Sequence, residues 1–168
     1  SLGYIFGGGV HGVPVSERFF PGGIYTIRGF EPRSLGPTKS VGMLNDPNSA
    51  SREFNVGGNK QALFNLELEF PILEAAGIKG VFFADAGNAY DDSQNFFHYG
   101  DTLQKEEYAT FLGGSKAPPP LGLYWSVGVG IRWFSPIGPL RFEWGLPLTK
   151  HNRSPEDSMF EFTIGNFF

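Results

Sequence analysis

Hydrophobic and polar residues alternate with a period of two over five long stretches of this chain. In residues 58–70, Ala62, Phe64, Leu66, Leu68 and Phe70 hold even positions, while Asn59, Gln61, Asn65, Glu67 and Glu69 hold odd ones, with Leu63 the exception. A period of two places such sets on opposite faces of a strand. Residues 79–90 set Phe82, Ala84 and Ala86 against Lys79, Val81, Phe83, Asp85 and Gly87. In residues 121–134 a bulky face (Leu123, Trp125, Val127, Val129, Ile131, Trp133) opposes a small and polar one (Tyr124, Ser126, Gly128, Gly130, Arg132). Residues 140–148 set Leu140, Phe142, Trp144, Leu146 and Leu148 against Arg141, Glu143, Gly145 and Pro147. In residues 159–168, Phe160, Phe162, Ile164 and Phe168 oppose Glu161, Thr163, Gly165 and Phe167. The pattern predicts an all-β fold, an antiparallel meander of these strands with a further strand tail at 2–6. No segment carries a helical period of 3.6.

The predicted strands run to roughly 10–14 residues, beyond the usual 5–6 or so, and a tilted strand needs about 9–11 to cross a bilayer. The connections at 71–77 and 135–139 are short, 91–120 is long and 149–157 is intermediate. Outer-membrane barrels combine short turns at one end with longer loops at the other. The small second face, with its paired Glu and Arg, suits a wet lumen. Trp125, Trp133, Tyr90, Phe134 and Phe168 fall near strand ends, where aromatic girdles sit. A soluble sandwich with one solvated face alternates in the same way, so periodicity alone leaves both architectures open.

Ahead of these strands lies a segment without regular periodicity, residues 8–57. Pro14, Pro21, Pro32, Pro37 and Pro47 interrupt both helix and central strand there. Structureless loops of that length are uncommon in compact domains and are usually functional or disordered. Its most distinctive part is Gly22-Gly23-Ile24-Tyr25-Thr26-Ile27-Arg28-Gly29-Phe30, an apolar, glycine-rich run with one cation. A guanidinium removed from water needs paired acceptors. The odd, small-and-polar faces of the first two long strands offer Glu69 and Asp85, with Glu67 one step further from the turn. The alternative is an exposed surface arginine.

Composition narrows the choice. The chain has 168 residues, enough for one domain, with a formal net charge of −4, which argues against a nucleic-acid partner. Cysteine is absent, so there is neither a disulfide framework nor a thiolate metal site. Eighteen Phe and 24 Gly accompany the strand-rich pattern. No apolar run approaches the roughly 18 residues of a membrane helix, and the N-terminus lacks the basic start and apolar core of a signal peptide. His11, His98 and His151 are separated and lie in loops, where solvated imidazoles are the default, so no metal site is expected. Asp91, Ser93 and Asn95 resemble the start of a calcium loop, but Phe96 and Thr102 occupy its Gly and Glu positions. Gly113-Gly114-Ser115-Lys116 lacks the order of a phosphate loop. The acid pairs Asp91-Asp92 and Glu106-Glu107 read as solvated, and Asn152-Arg153-Ser154 fits a common sequon. No nucleophile stands beside a base, so neither catalysis nor a cofactor is expected.

Five blocks in order carry a family resemblance. Tyr25-Thr26-Ile27-Arg28-Gly29-Phe30 followed by Leu35-Gly36-Pro37, then residues 66–71, 82–87, 126–140 and 160–168, resemble the successive motifs of the bacterial surface antigen superfamily. The ending is similar to that of its BamA-like outer-membrane assembly factors. The resemblance implies the C-terminal part of a sixteen-stranded transmembrane barrel: the tail of strand eleven, the sixth external loop folded into the lumen, and strands twelve to sixteen. It implies a bacterial outer-membrane location and a role in folding and inserting other barrel proteins. The implied partners are the lipid bilayer, unfolded outer-membrane proteins and the lipoproteins of an assembly complex. It also implies that Arg28, within the loop motif Ile27, Gly29 and Phe30, pairs with Glu69 and Asp85 as a latch. The last strand, with Phe160, Phe162, Ile164, Gly165 and Phe168, would form one side of a lateral gate. Polypeptide secretion within the same superfamily and a passive porin are the rival readings. Five strands cannot close a barrel, so a piece this size is expected to self-associate through its open edges.

Overall fold

The computed structural model describes residues 1–5, 12–41, 52–92, 96, 120–136, 138–149 and 157–165. Its main sheet has six antiparallel strands: β1 (Leu2–Tyr4), β4 (Lys60–Leu73), β5 (Ile78–Tyr90), β6 (Tyr124–Ser135), β7 (Gly138–Pro147) and β8 (Met159–Ile164), in that spatial order. Among the described residues the sheet is open, ending at β1 on one side and β8 on the other. A separate hairpin joins β2 (Thr38–Val41) and β3 (Arg52–Asn55), so the 8–57 segment contains regular structure that its aperiodic sequence does not announce. It also holds a single 3-10 turn, Val15–Glu17.

Strand limits depart from the expected ones where proline and left-handed residues intervene. β4 continues through Pro71 to Leu73, and the register shifts between Pro71 and Leu73. Such an irregularity accommodates a residue with no N–H to give. Glu74–Ala76 then turns the chain, closed by Gly77 in the left-handed region. The expected start of the third long strand, at 121, is instead a turn, Pro120–Gly122, with Leu121 at φ 59. Within the turn at 135–139, β7 begins at Gly138. Among the described residues β8 ends at Ile164, and Phe168 lies outside them.

The alternating pattern decides the two faces. Leu66, Leu68, Phe82, Val129, Trp144 and Phe162 all project from one face and stay exposed. This is a band of large apolar side chains of the kind that lipid covers in an outer-membrane barrel. The other face is covered by the segment around residues 21–35. Ile27, Phe30 and Leu35 pack there with Leu63 of β4 and Tyr124 of β6, all buried. Phe30 and Tyr124 meet edge to face at 5.9 Å. Tyr90 departs from its expected place in an aromatic girdle. It is buried in a second cluster with Ala62, Ala86 and Leu123, and its hydroxyl donates to the Gly122 carbonyl at 3.3 Å.

Candidate functional site

The run from Gly22 to Phe30 closes on itself before it meets the sheet. The Thr26 N–H donates to the Gly23 carbonyl (3.0 Å) and the Gly23 N–H to the Ile27 carbonyl (3.1 Å), while Thr26 Oγ1 accepts from the Gly22 N–H (2.8 Å). Asn65 of β4 holds this turn from below, donating to the Thr26 carbonyl at 2.7 Å. Ile27 and Phe30 are driven into the apolar cluster, which leaves Arg28 between them aimed along the polar face. Gly29, at φ 85, lets the backbone lie almost on β7. A Cβ built on Gly145 would stand 2.5 Å from the Gly29 Cα, so only glycine at 145 allows this approach.

Arg28 makes a two-pronged pair with Asp85 of β5. Its Nε donates to Oδ2 at 2.7 Å and its Nη2 to Oδ1 at 2.8 Å, and its own backbone N–H donates to Oδ2 at 3.1 Å. Nη1 donates to Glu67 of β4 at 2.8 Å and to Glu143 of β7 at 3.4 Å. The guanidinium carbon lies over the Phe83 ring, 3.8 Å from its centroid. Asp85 is fully buried, Glu143 1% exposed and Arg28 4% exposed. Burial opposes the Arg28 charge, but the Asp85 and Glu67 hydrogen bonds outweigh it and hold its pKa above the ordinary arginine value. Planar, multiply donated pairing of this kind is what offsets the cost of taking a guanidinium out of water.

A second layer surrounds the pair. Arg132 of β6 reaches Glu67 (2.6 Å), Glu69 and Glu143 (3.2 Å), and Arg141 of β7 donates to Glu143 at 2.8 Å. Lys79 pairs with Glu69 at 3.2 Å. Four cations (Arg28, Lys79, Arg132, Arg141) thus face four acids (Glu67, Glu69, Asp85, Glu143) in one connected network.

The structure brings Arg28 and Asp85 together but not Arg28 and Glu69. The direct carboxylate from β4 is Glu67, and Glu69 joins the network only through Arg132 and Lys79. The cause is register. Asn65 stands opposite Asp85, Glu67 opposite Phe83 and Glu69 opposite Val81. Same-face residues recur about every 7 Å along a strand, so Glu69 lies roughly 13–14 Å along β4 from the Asp85 rung. One guanidinium cannot bridge that span. Counting back from the hairpin turn is the sequence signal that points away from Glu69. Glu143, Arg132 and Arg141 carried only the weaker signal of charges on the polar faces of their strands.

Of the residues expected at a gate, Phe160, Phe162 and Ile164 project from the apolar face of β8 and are half exposed. Gly165 follows at φ 94, its N–H donating to the Pro139 carbonyl at 2.9 Å. Phe168 lies outside the described residues, as do His11, His98, His151, Ser93, Asn95, Glu106 and Asn152 and the run at 113–116.

Known proteins share this arrangement of sequence. The Omp85 superfamily domain matches residues 1–168. The outer membrane protein assembly factor BamA of Nitratidesulfovibrio vulgaris is 35% identical over 167 residues, covering 99% of this chain and 17% of that protein. The factor of the same name from Neisseria meningitidis serogroup B is 31% identical over 175 aligned positions, covering 93% of this chain and 19% of its own length. The chain therefore spans under a fifth of the curated relatives it matches. With its all-β sheet of long antiparallel strands and its full-length match, the chain belongs to the Omp85 superfamily.

Proposed function

We propose that this chain is the C-terminal barrel segment of a bacterial outer-membrane assembly factor, which folds and inserts other β-barrel proteins. The observation that carries the reading is the near-full-length alignment of this sheet of long strands, one face a band of exposed large apolar side chains, with two proteins named as assembly factors. The proposed work is pairing at a strand edge. An open edge offers its backbone donors and acceptors to an incoming strand, the chemistry of strand addition. In lipid an unsatisfied backbone group costs several kcal/mol or so, which drives such an edge to find a partner. The apolar face meets the bilayer. The described parts of the 8–57 segment, residues 12–41 and 52–57, lie on the lumen side, and Arg28 with Asp85 and Glu67 latches them to the wall. Unfolded outer-membrane proteins are the substrates, and assembly-complex lipoproteins are the partners. The work is done by strand exchange, without covalent chemistry or a cofactor.

The test is site-specific photo-crosslinking in the full-length protein. A crosslinker at Phe162 is expected to capture arriving barrel proteins through one of their own strands. Capture confined to a crosslinker at Tyr25 of the loop, with none at Phe162, would make the protein a conduit for polypeptides instead. Ion conductance with no capture at either position would make it a passive pore.

A further inference from the structure

The exposed apolar face does not run the full height of the sheet. On β4 and β5 its outward positions pair rung by rung: Leu68 with Phe82, Leu66 with Ala84, Phe64 with Ala86, Ala62 with Asn88 and Lys60 with Tyr90. Leu68, Phe82, Leu66 and Phe64 are exposed, whereas Ala86, Ala62, Asn88 and Tyr90 are buried. What covers these four is the chain itself. The turn Pro120–Gly122 and the residue after it fold over the outward face, and Leu123 packs against Ala62, Ala86 and Tyr90 with Trp125 beside them.

Asn88 is the side chain that this cover accounts for. An amide on the outward face of a membrane strand is costly in lipid unless protein groups satisfy it. Its Nδ2 donates to the Gly122 carbonyl at 2.9 Å, and its Oδ1 accepts from the Ala89 N–H at 2.8 Å. The Tyr90 hydroxyl donates to the same Gly122 carbonyl. Two outward side chains thus converge on one carbonyl of the turn. They hold it in a conformation that a bulky residue seldom takes, with Leu121 at φ 59 followed by Gly122 at φ 64. Leu121 is 62% exposed, while Gly122 and Leu123 on either side of the bend are buried.

The rung beyond has the make-up of a bilayer boundary. Lys60 stands between Tyr4 of β1 and Tyr90 of β5. Its Nζ lies 5.7 Å from the Tyr4 ring centroid and donates to the Asp92 carbonyl at 3.0 Å. Tyrosine and lysine at a strand end suit the headgroup layer, since each joins an apolar body to a polar tip.

We propose that the turn at 120–123 is a lipid-interface anchor: Asn88 and Tyr90 hold it on the outward face, and Leu121 inserts into the headgroup boundary of the bilayer. Hydrocarbon contact on β4 and β5 then ends at Phe64 and Ala84, and Asn88 is the positioning residue. The anchor sets the height of the sheet in the membrane at the end away from the Glu74–Ala76 turn. It rests on the reading that the apolar face meets the bilayer.

Nitroxide labels in the full-length protein, reconstituted in phosphatidylcholine vesicles, test this. One label goes at Leu121→Cys, a second at Leu66→Cys in the band and a third at Tyr25→Cys on the lumen side. Collision rates with lipid-soluble oxygen and with a water-soluble nickel chelate give each label's depth. The Leu121 label is expected to favour oxygen over nickel, at a depth shallower than the Leu66 label. A Leu121 label as open to nickel as the one at Tyr25, with Leu66 still shielded, overturns the anchor and leaves the bilayer reading intact. Nickel access at Leu66 as well defeats both. Asn88→Leu removes the donor without adding a polar group. It is expected to lower the oxygen-to-nickel ratio at Leu121 by about two- to ten-fold, the worth of one net hydrogen bond, with Leu66 unchanged as the sign of an intact barrel. Tyr90→Phe is expected to act in the same direction and less, and serves in its place where the Leu variant does not fold. An unchanged ratio at Leu121 in these variants overturns the positioning role.

Discussion

The polar face of this sheet treats its two ends differently. Along β4 to β7, every acid in the network has a cation, and the most buried of them, Asp85, takes both prongs of Arg28 and its backbone amide as well. Along β8, the one acid, Glu161, has Glu143 for its cross-strand neighbour and, among the described residues, no cation within ion-pair distance. The apolar face shows no such contrast, since large side chains run from β4 to β8. The difference teaches that lipid contact asks the same of every strand, whereas the ion pairs that Arg28 of the loop makes fall on β4, β5 and β7. Removing one member of a buried ion pair costs far more than removing an exposed one, because the remaining charge is stranded.

That contrast can be broken at its strongest point first. Arg28→Ala leaves Asp85 and Glu143 buried without their shared cation, and is expected to cost about 3–5 kcal/mol of local stability. Limited proteolysis of the loop in the full-length protein reads this out, and an unchanged cleavage rate would remove Arg28 as the fastener. Gly145→Ala attacks the same contact without touching a charge. Its methyl would collide with the Gly29 backbone, at an expected cost of about 1–3 kcal/mol, seen as faster cleavage of the loop with the β4–β5 hairpin still protected. Glu67→Gln removes one charged acceptor from Arg28, worth about 1–2 kcal/mol at a partly exposed site. Glu69→Gln, although on the same face two residues away, should cost less than about 1 kcal/mol, because its partners are Lys79 and Arg132 near solvent. Equal effects of these last two in thermal unfolding would erase the distinction between them.

Much of the architecture was legible before any coordinates. The alternation in residues 58–70 or 140–148 reports face directly, since successive side chains leave a strand on opposite sides wherever it lies in the fold. For the same reason Arg28, the single cation in an apolar run, pointed to acceptors on the small-and-polar face, and Asp85 is among them. Parity could not say which rung of that face an acid occupies. Glu67 and Glu69 are equivalent in period, and only the register set by the hairpin, with its irregularity at Pro71, separates them by about 7 Å along the strand. The β2–β3 hairpin was hidden for a different reason: its two short strands sit in a proline-rich context where no alternation is long enough to register.

By itself, then, the sequence determined the strands, their two faces, the lone cation of the loop and the acids available to it. These are local properties, carried by backbone geometry and side-chain polarity. The tertiary structure alone decided that Glu67 rather than Glu69 meets Arg28, that Glu143 closes the site from a strand more than a hundred residues away in sequence, and that Glu161 is left facing it. Those outcomes depend on turn lengths, register and a Gly29–Gly145 contact between distant backbones, which no periodicity along the chain encodes.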